Sequence, residues 1–147
     1  MNILAFDPGL TVGWSEFTDS PGWYFILECG HAMSLEDVVD LIQQKKPSLI
    51  VYEGFARGNS VVDEQLKTIE MCGAIKAIAH NQGIPVVMQY PAARKGYVPI
   101  AKQMVKSKGY TLEEMHHAID AIAHGLCYID KEGMEWQKQF WLHKAFQ

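Results

Sequence analysis

The sequence predicts an α/β fold, a five-stranded mixed sheet with helices on both faces. Three observations carry that prediction. Ile3–Phe6 and Leu49–Tyr52 are wholly apolar runs, as strands covered on both sides are. Residues 12–29 carry strand patterning broken by the turn residues Asp19-Ser20-Pro21-Gly22. Beyond residue 33, helical periodicity alternates with further short apolar runs, which is how helices cover a sheet.

Taken in order, Asn2–Phe6 is a buried strand ending in the turn Asp7-Pro8-Gly9. Val12–Phe17 and Trp23–Cys29 follow, and Trp23, Phe25, Leu27 and Cys29 alternate as a half-buried strand should. Ser34 and Asp37 have the spacing of a capping box, and Leu35, Val38, Val39 and Ile42 form one apolar stripe, so a helix starts there. Pro47 closes the connection to a fourth strand, Ser48–Tyr52. A long helix spans about 60–82, with Val62, Leu66, Ile69, Gly73 and Ala77 along one side and Gly83 as its stop. Ile84–Met88 is the fifth strand, Pro99–Lys108 a short helix, and Leu112–Ile129 a nearly all-apolar last helix.

The chain has 147 residues, 48% hydrophobic and 20% charged, enough for one domain with a real core and unlike a disordered chain. No apolar run is long enough to span a bilayer, and no basic patch precedes an apolar stretch at the start. Three cysteines without CxxC spacing indicate neither a disulfide framework nor a zinc ribbon. The expected setting is cytoplasmic, with no membrane partner. The net charge of −4 hides an asymmetry. From Met71 to Leu112 there is no acidic residue, and Lys76, Arg94, Lys95, Lys102, Lys106 and Lys108 give that stretch +6. Such segregation builds a basic surface on an acidic protein, and phosphate binding follows the local field.

Two strands share one design. Ile3–Phe6 delivers Asp7, and Leu49–Tyr52 delivers Glu53, each carboxylate standing at a strand's C-terminal end before a turn. Active sites of α/β sheets lie at such ends. If the strands are parallel neighbours, the two carboxylates face each other and call for a cation between them. The last helix adds Asp120 in apolar surroundings, with His117 three residues before it and His124 four after, on the same face. His117, Asp120 and His124 can be read as zinc ligands or as hydrogen-bonded structural histidines. Three carboxylates with a histidine form an oxygen-rich site suited to Mg²⁺ or Mn²⁺. Two such ions per site serve phosphodiester cleavage. No GxxxxGK[ST] loop and no GxGxxG is present, so a nucleic-acid backbone is a better substrate than a nucleotide.

These residues carry a family resemblance. Ile3-Leu4-Ala5-Phe6-Asp7-Pro8-Gly9-Leu10-Thr11-Val12-Gly13-Trp14 resembles the opening of RuvC-type Holliday-junction resolvases. Tyr52-Glu53-Gly54-Phe55 is similar to the place of that family's second acid, Gln89-Tyr90-Pro91-Ala92 to its segment after the fifth strand, and His117-Ala118-Ile119-Asp120-Ala121 to its final catalytic helix. The resemblance covers about residues 1–130 and implies a ribonuclease-H-like fold, a homodimer and divalent-metal cleavage of four-way DNA junctions. Asp7, Glu53 and Asp120 then match three catalytic, metal-holding acids, and His117 matches the fourth ligand position. Phe55 stands where members place an aromatic beside the acid. It is a candidate wedge into the junction, packing into the core being the alternative. Arg57, Arg94, Lys95, Lys102 and Lys106 are the candidate DNA contacts. Residues 131–147 form an extension whose Trp136, Phe140 and Trp141 are expected to pack on the domain or on a dimer mate.

Rival readings are a related nuclease for flaps or RNA–DNA hybrids and a non-catalytic junction-binding module. Asp7, Gly9, Thr11 and Gly13 also resemble the phosphate loop of sugar-kinase and actin-like ATPases, but those clasp ATP between two such domains and 147 residues supply one.

Overall fold

A computed structural model describes residues 1–19, 25–54, 63–138 and 141–142. The strands are β1 (Asn2–Asp7), β2 (Val12–Asp19), β3 (Phe25–Ala32), β4 (Leu49–Glu53) and β5 (Val86–Gln89). They form one sheet in the order β3-β2-β1-β4-β5. The β1–β2 and β2–β3 pairs are antiparallel, and the β1–β4 and β4–β5 pairs are parallel.

The wholly apolar runs are explained by two cores. Ile3, Ala5, Leu49 and Val51 point to one face, under α3 (Val98–Ser107) and α4 (His116–Glu132). Leu4, Phe6, Ile50 and Tyr52 point to the other, under α1 (Leu35–Lys45) and α2 (Asp63–Asn81). Each strand alternates between faces, and both faces are dry, so every position is apolar. Helix α4 is buried nearly all round, and Gly125 within it lies directly against the Phe17 ring, leaving no room for a Cβ.

Helix α1 is capped by Ser34 as expected: Asp37 N–H donates to Ser34 Oγ, while the Asp37 carboxylate accepts from Met33 N–H rather than Ser34 N–H. Two other features differ from expectation. The last helix begins at His116, not Leu112. Thr111 N–H donates to Glu114 Oε2 at 2.8 Å and Glu114 N–H to Thr111 Oγ1 at 3.1 Å, closing a separate turn. On α2, Cys72, Ile75 and Ala79 face the core, whereas Leu66 and Ile69 of the expected stripe are exposed and nothing lies within 4 Å of a Cβ built on Gly73. Val62 lies outside the described residues.

Helix α4 runs through residue 130 without a break and is followed by a single turn, α5 (Glu135–Lys138). Trp141 then folds back and is buried with its ring edge-on to Phe17 at 4.9 Å. Phe140 and the side chain of Trp136 lie outside the described residues. Among the described residues, no helix is long and apolar enough to cross a membrane.

Candidate active site at the strand ends

Parallel pairing sets the first two acids side by side. Phe6 is opposite Tyr52 in the β1–β4 register, so Asp7 and Glu53 follow at the same level. Glu53 is in turn opposite Gln89 of β5. The third acid arrives because α4 crosses β2 at a bare glycine. The carbonyl of His117 sits against Gly13, where any Cβ would collide with it. That close approach brings the first turn of α4, with His117 and Asp120, to the strand ends.

The cluster crowds three carboxylates together, and their mutual repulsion disfavours full ionisation. Burial, followed by the charges of Glu53 and Asp120, pushes the Asp7 carboxyl up to about 8, against a partial offset from Arg94. Burial also pushes Glu53 upward, but the hydrogen bond and charge of His124, together with Arg94, outweigh it and leave Glu53 below the ordinary range. The contacts are direct. Glu53 Oε2 lies 2.7 Å from His124 Nε2 and accepts from Arg94 Nη1 at 2.8 Å. Arg94 Nε lies 3.2 Å from Asp120 Oδ1, so one guanidinium spans two acids. His124 is fully buried, and its Nδ1 is 2.6 Å from Gln89 Oε1.

His117 lines a cleft of about 410 Å³ together with Asp7, Pro8, Gly9, Leu10, Thr11 and Thr68. Its ring meets those of His31 (centroids 5.3 Å apart) and His116 (4.0 Å). Burial and these two histidines lower its affinity for a proton, against a smaller pull from Asp120. A less basic imidazole is a freer ligand for a cation.

The structure thus brings Asp7, Glu53 and Asp120 into one electrostatic cluster, with His117 on the cleft beside Asp7. His117, Asp120 and His124 do not converge as a zinc triad, because His124 turns to Glu53 and Gln89 while His117 turns to its histidine neighbours. Lys102 and Lys106 stand one turn apart on the exposed side of α3, away from its buried Ala101, Met104 and Val105, and Lys95 is also exposed. Arg94, expected at the DNA face with these lysines, is drawn inward to the acids. Phe55 and Arg57 lie outside the described residues. The sequence reading missed Gln89 and the tie from His124 to Glu53. Gln89 had a signal, since it ends an apolar run as Asp7 and Glu53 do.

Among the described residues, no three His, Cys, Asp or Glu side chains form a ready-made metal cage. The donor chemistry nonetheless suits Mg²⁺ or Mn²⁺. Three carboxylates act on one another there, the Asp7 carboxyl is pushed up to about 8, and Arg94 pairs with the other two.

The fold on which this site is built is ribonuclease-H-like, the fold of the Holliday-junction resolvases. Among solved structures the chain is similar to Thermus thermophilus RuvC in complex with a Holliday junction substrate. The TM-score is 0.66 at 16% identity, covering 90% of this chain and 98% of that one. It is similar also to the fowlpox virus resolvase in complex with substrate Holliday junction DNA, with a TM-score of 0.61 at 17% identity over 88% and 97%. A third is the yeast mitochondrial Holliday junction resolvase, with a TM-score of 0.52 at 13% identity over 98% and 82%. No protein-family model matches the sequence, and no curated protein matches it.

Proposed function

We propose that this protein is a divalent-metal-dependent endonuclease that cleaves phosphodiesters at four-way DNA junctions as a homodimer. The observation that carries this reading is the gathering of Asp7, Glu53 and Asp120 at the C-terminal ends of β1 and β4, on a fold shared with resolvases solved on junction DNA. Asp7, Glu53, Asp120 and His117 would hold Mg²⁺ or Mn²⁺, two ions per site. Bound there, such ions activate water and stabilise the leaving oxygen. The chain's own contribution is placement. Parallel register fixes the first two acids, the Gly13 contact fixes the α4 pair, and buried His124 braces Glu53 from behind.

Lys95, Lys102 and Lys106 supply phosphate contacts. A two-fold dimer provides two active sites for two nicks. Its interface is the outward face of α2, where Leu66 is 49% and Ile69 40% exposed. The test is a cleavage panel of four-way junctions, flaps, RNA–DNA hybrids and plain duplex, each with Mg²⁺ or Mn²⁺. Symmetric paired nicks across the junction are expected. Preference for flaps or hybrids would make it a related nuclease, and junction binding without cleavage would make it a binding module.

A further inference from the structure

Two donors converge on the same oxygen of Glu53, and they are not equivalent. His124 comes from the core helix α4, has no exposed surface and is clamped on its other side by Gln89. It cannot leave without unpacking the core. Arg94 comes from the single 3₁₀ turn Pro91–Arg94 after β5, and its side chain keeps 29% of its surface exposed. It holds Glu53 through Nη1 and Asp120 through Nε, one bond to each acid rather than a two-pronged fork on either. Its further hydrogen bond, from Nη1 to the Pro91 carbonyl, is long at 3.4 Å.

We propose that Arg94 is a displaceable counter-ion. It neutralises Glu53 and Asp120 while the metal site is empty and swings out toward solvent as a divalent cation takes the same carboxylate oxygens. This rests on the metal-nuclease reading above. The physical argument is competition for lone pairs. Glu53 Oε2 and Asp120 Oδ1 are engaged by the guanidinium, and a cation held by these two carboxylates would compete with it for their lone pairs. Arginine suits the task because its charge is permanent and its planar group reaches two acids at once. A long side chain on a surface turn, held by single contacts, exchanges without disturbing the sheet. The alternative is that Arg94 stays paired in the loaded site and positions the acids for the metal.

The two are separated by calorimetric titration of Mn²⁺ into the full chain without DNA, comparing the wild type with Arg94→Gln and Arg94→Lys. A latch closed in nine of ten metal-free molecules weakens apparent affinity about tenfold. Arg94→Gln should therefore bind Mn²⁺ at least about tenfold more tightly, with Arg94→Lys in between. In the wild-type protein the Arg94 Nε–H resonance should move on adding Mg²⁺, a readout that needs no variant to fold. Equal or weaker Mn²⁺ binding by Arg94→Gln, or an Arg94 resonance unmoved by saturating Mg²⁺, would overturn the latch alone. Absence of Mn²⁺ binding in the wild type and both variants alike would overturn the metal-nuclease reading, and the latch with it.

Discussion

Asp7→Asn should make the metal-free protein more stable in alkaline solution while removing its cleavage activity. The folded protein holds the Asp7 proton to about pH 8, against 3.8 for an ordinary aspartate, chiefly because of burial and then because Glu53 and Asp120 repel a third charge. Between those two values the folded state keeps a proton that the unfolded chain releases. Stability therefore falls as pH rises from about 4 to 8 and levels off above. At 1.36 kcal/mol per unit the ceiling on that loss is about 6 kcal/mol. Water entering an open cleft reduces it, and about 3 kcal/mol is the working figure. An asparagine has nearly the same shape and cannot ionise, so the variant escapes the fall. The assay is urea unfolding followed by circular dichroism at pH 5, 7 and 9 with a chelator present. At pH 5, just over a quarter of the way through that window, the variant should already lead by roughly 1 kcal/mol, the two converging only near pH 4. At pH 9 the variant should lead by about 3 kcal/mol, or roughly 6–12 °C in Tm for a domain of this size. Parallel pH profiles, or a variant less stable than wild type at pH 9, would refute the reasoning and place Asp7 in water rather than in a crowded cluster.

Three further outcomes are expected. Glu53→Gln and Asp120→Asn should each reduce junction cleavage to background while junction binding, measured by gel shift in a chelator, survives; retained cleavage would remove that residue from the site. Lys102→Gln and Lys106→Gln should each flatten the log–log salt dependence of junction binding by about 0.9 per lost duplex phosphate contact, and an unchanged slope would make α3 a merely solvated face. Leu66→Glu with Ile69→Glu should convert a sedimenting dimer to monomer without loss of the folded spectrum, because both side chains are already exposed on one chain; a dimer that persists would move the interface elsewhere.

How far the site could be read in advance depended on whether its determinants were local. The acids at the ends of β1 and β4 were legible because an apolar run followed by a carboxylate and a turn is written in consecutive residues. The five strands and their mixed sheet followed from the same runs. What depended on contacts across the fold was not legible. The stripe of Leu66 and Ile69 on α2 has helical spacing, but spacing cannot say which side of a helix meets the sheet, and Cys72, Ile75 and Ala79 do. His124 shares a helix face with Asp120 by count, yet its partner is Glu53, 71 residues away. Arg94 belongs by sequence to a basic stretch and by structure to an acidic cluster, since the turn after β5 ends beside Glu53.

On the proposed metal-nuclease reading, that exchange of roles for Arg94 follows from what such a site must do before its metal arrives. Carboxylates have to be held close enough to share a cation, and without the cation their repulsion opposes the fold. Three compensations are visible, graded by how readily each is undone. The buried bond from His124 to Glu53 is fixed by the core and lasts as long as the fold. The proton on Asp7 leaves as the surroundings become more positive or more alkaline. The partly exposed arginine is held by single contacts to two acids and, on the latch proposed above, turns outward when a cation arrives. A site built wholly from fixed compensations would have no charge left to offer a cation, and one without any would cost the fold several kcal/mol. Pairing Glu53 with one partner fixed in the core and one on a surface turn meets both demands.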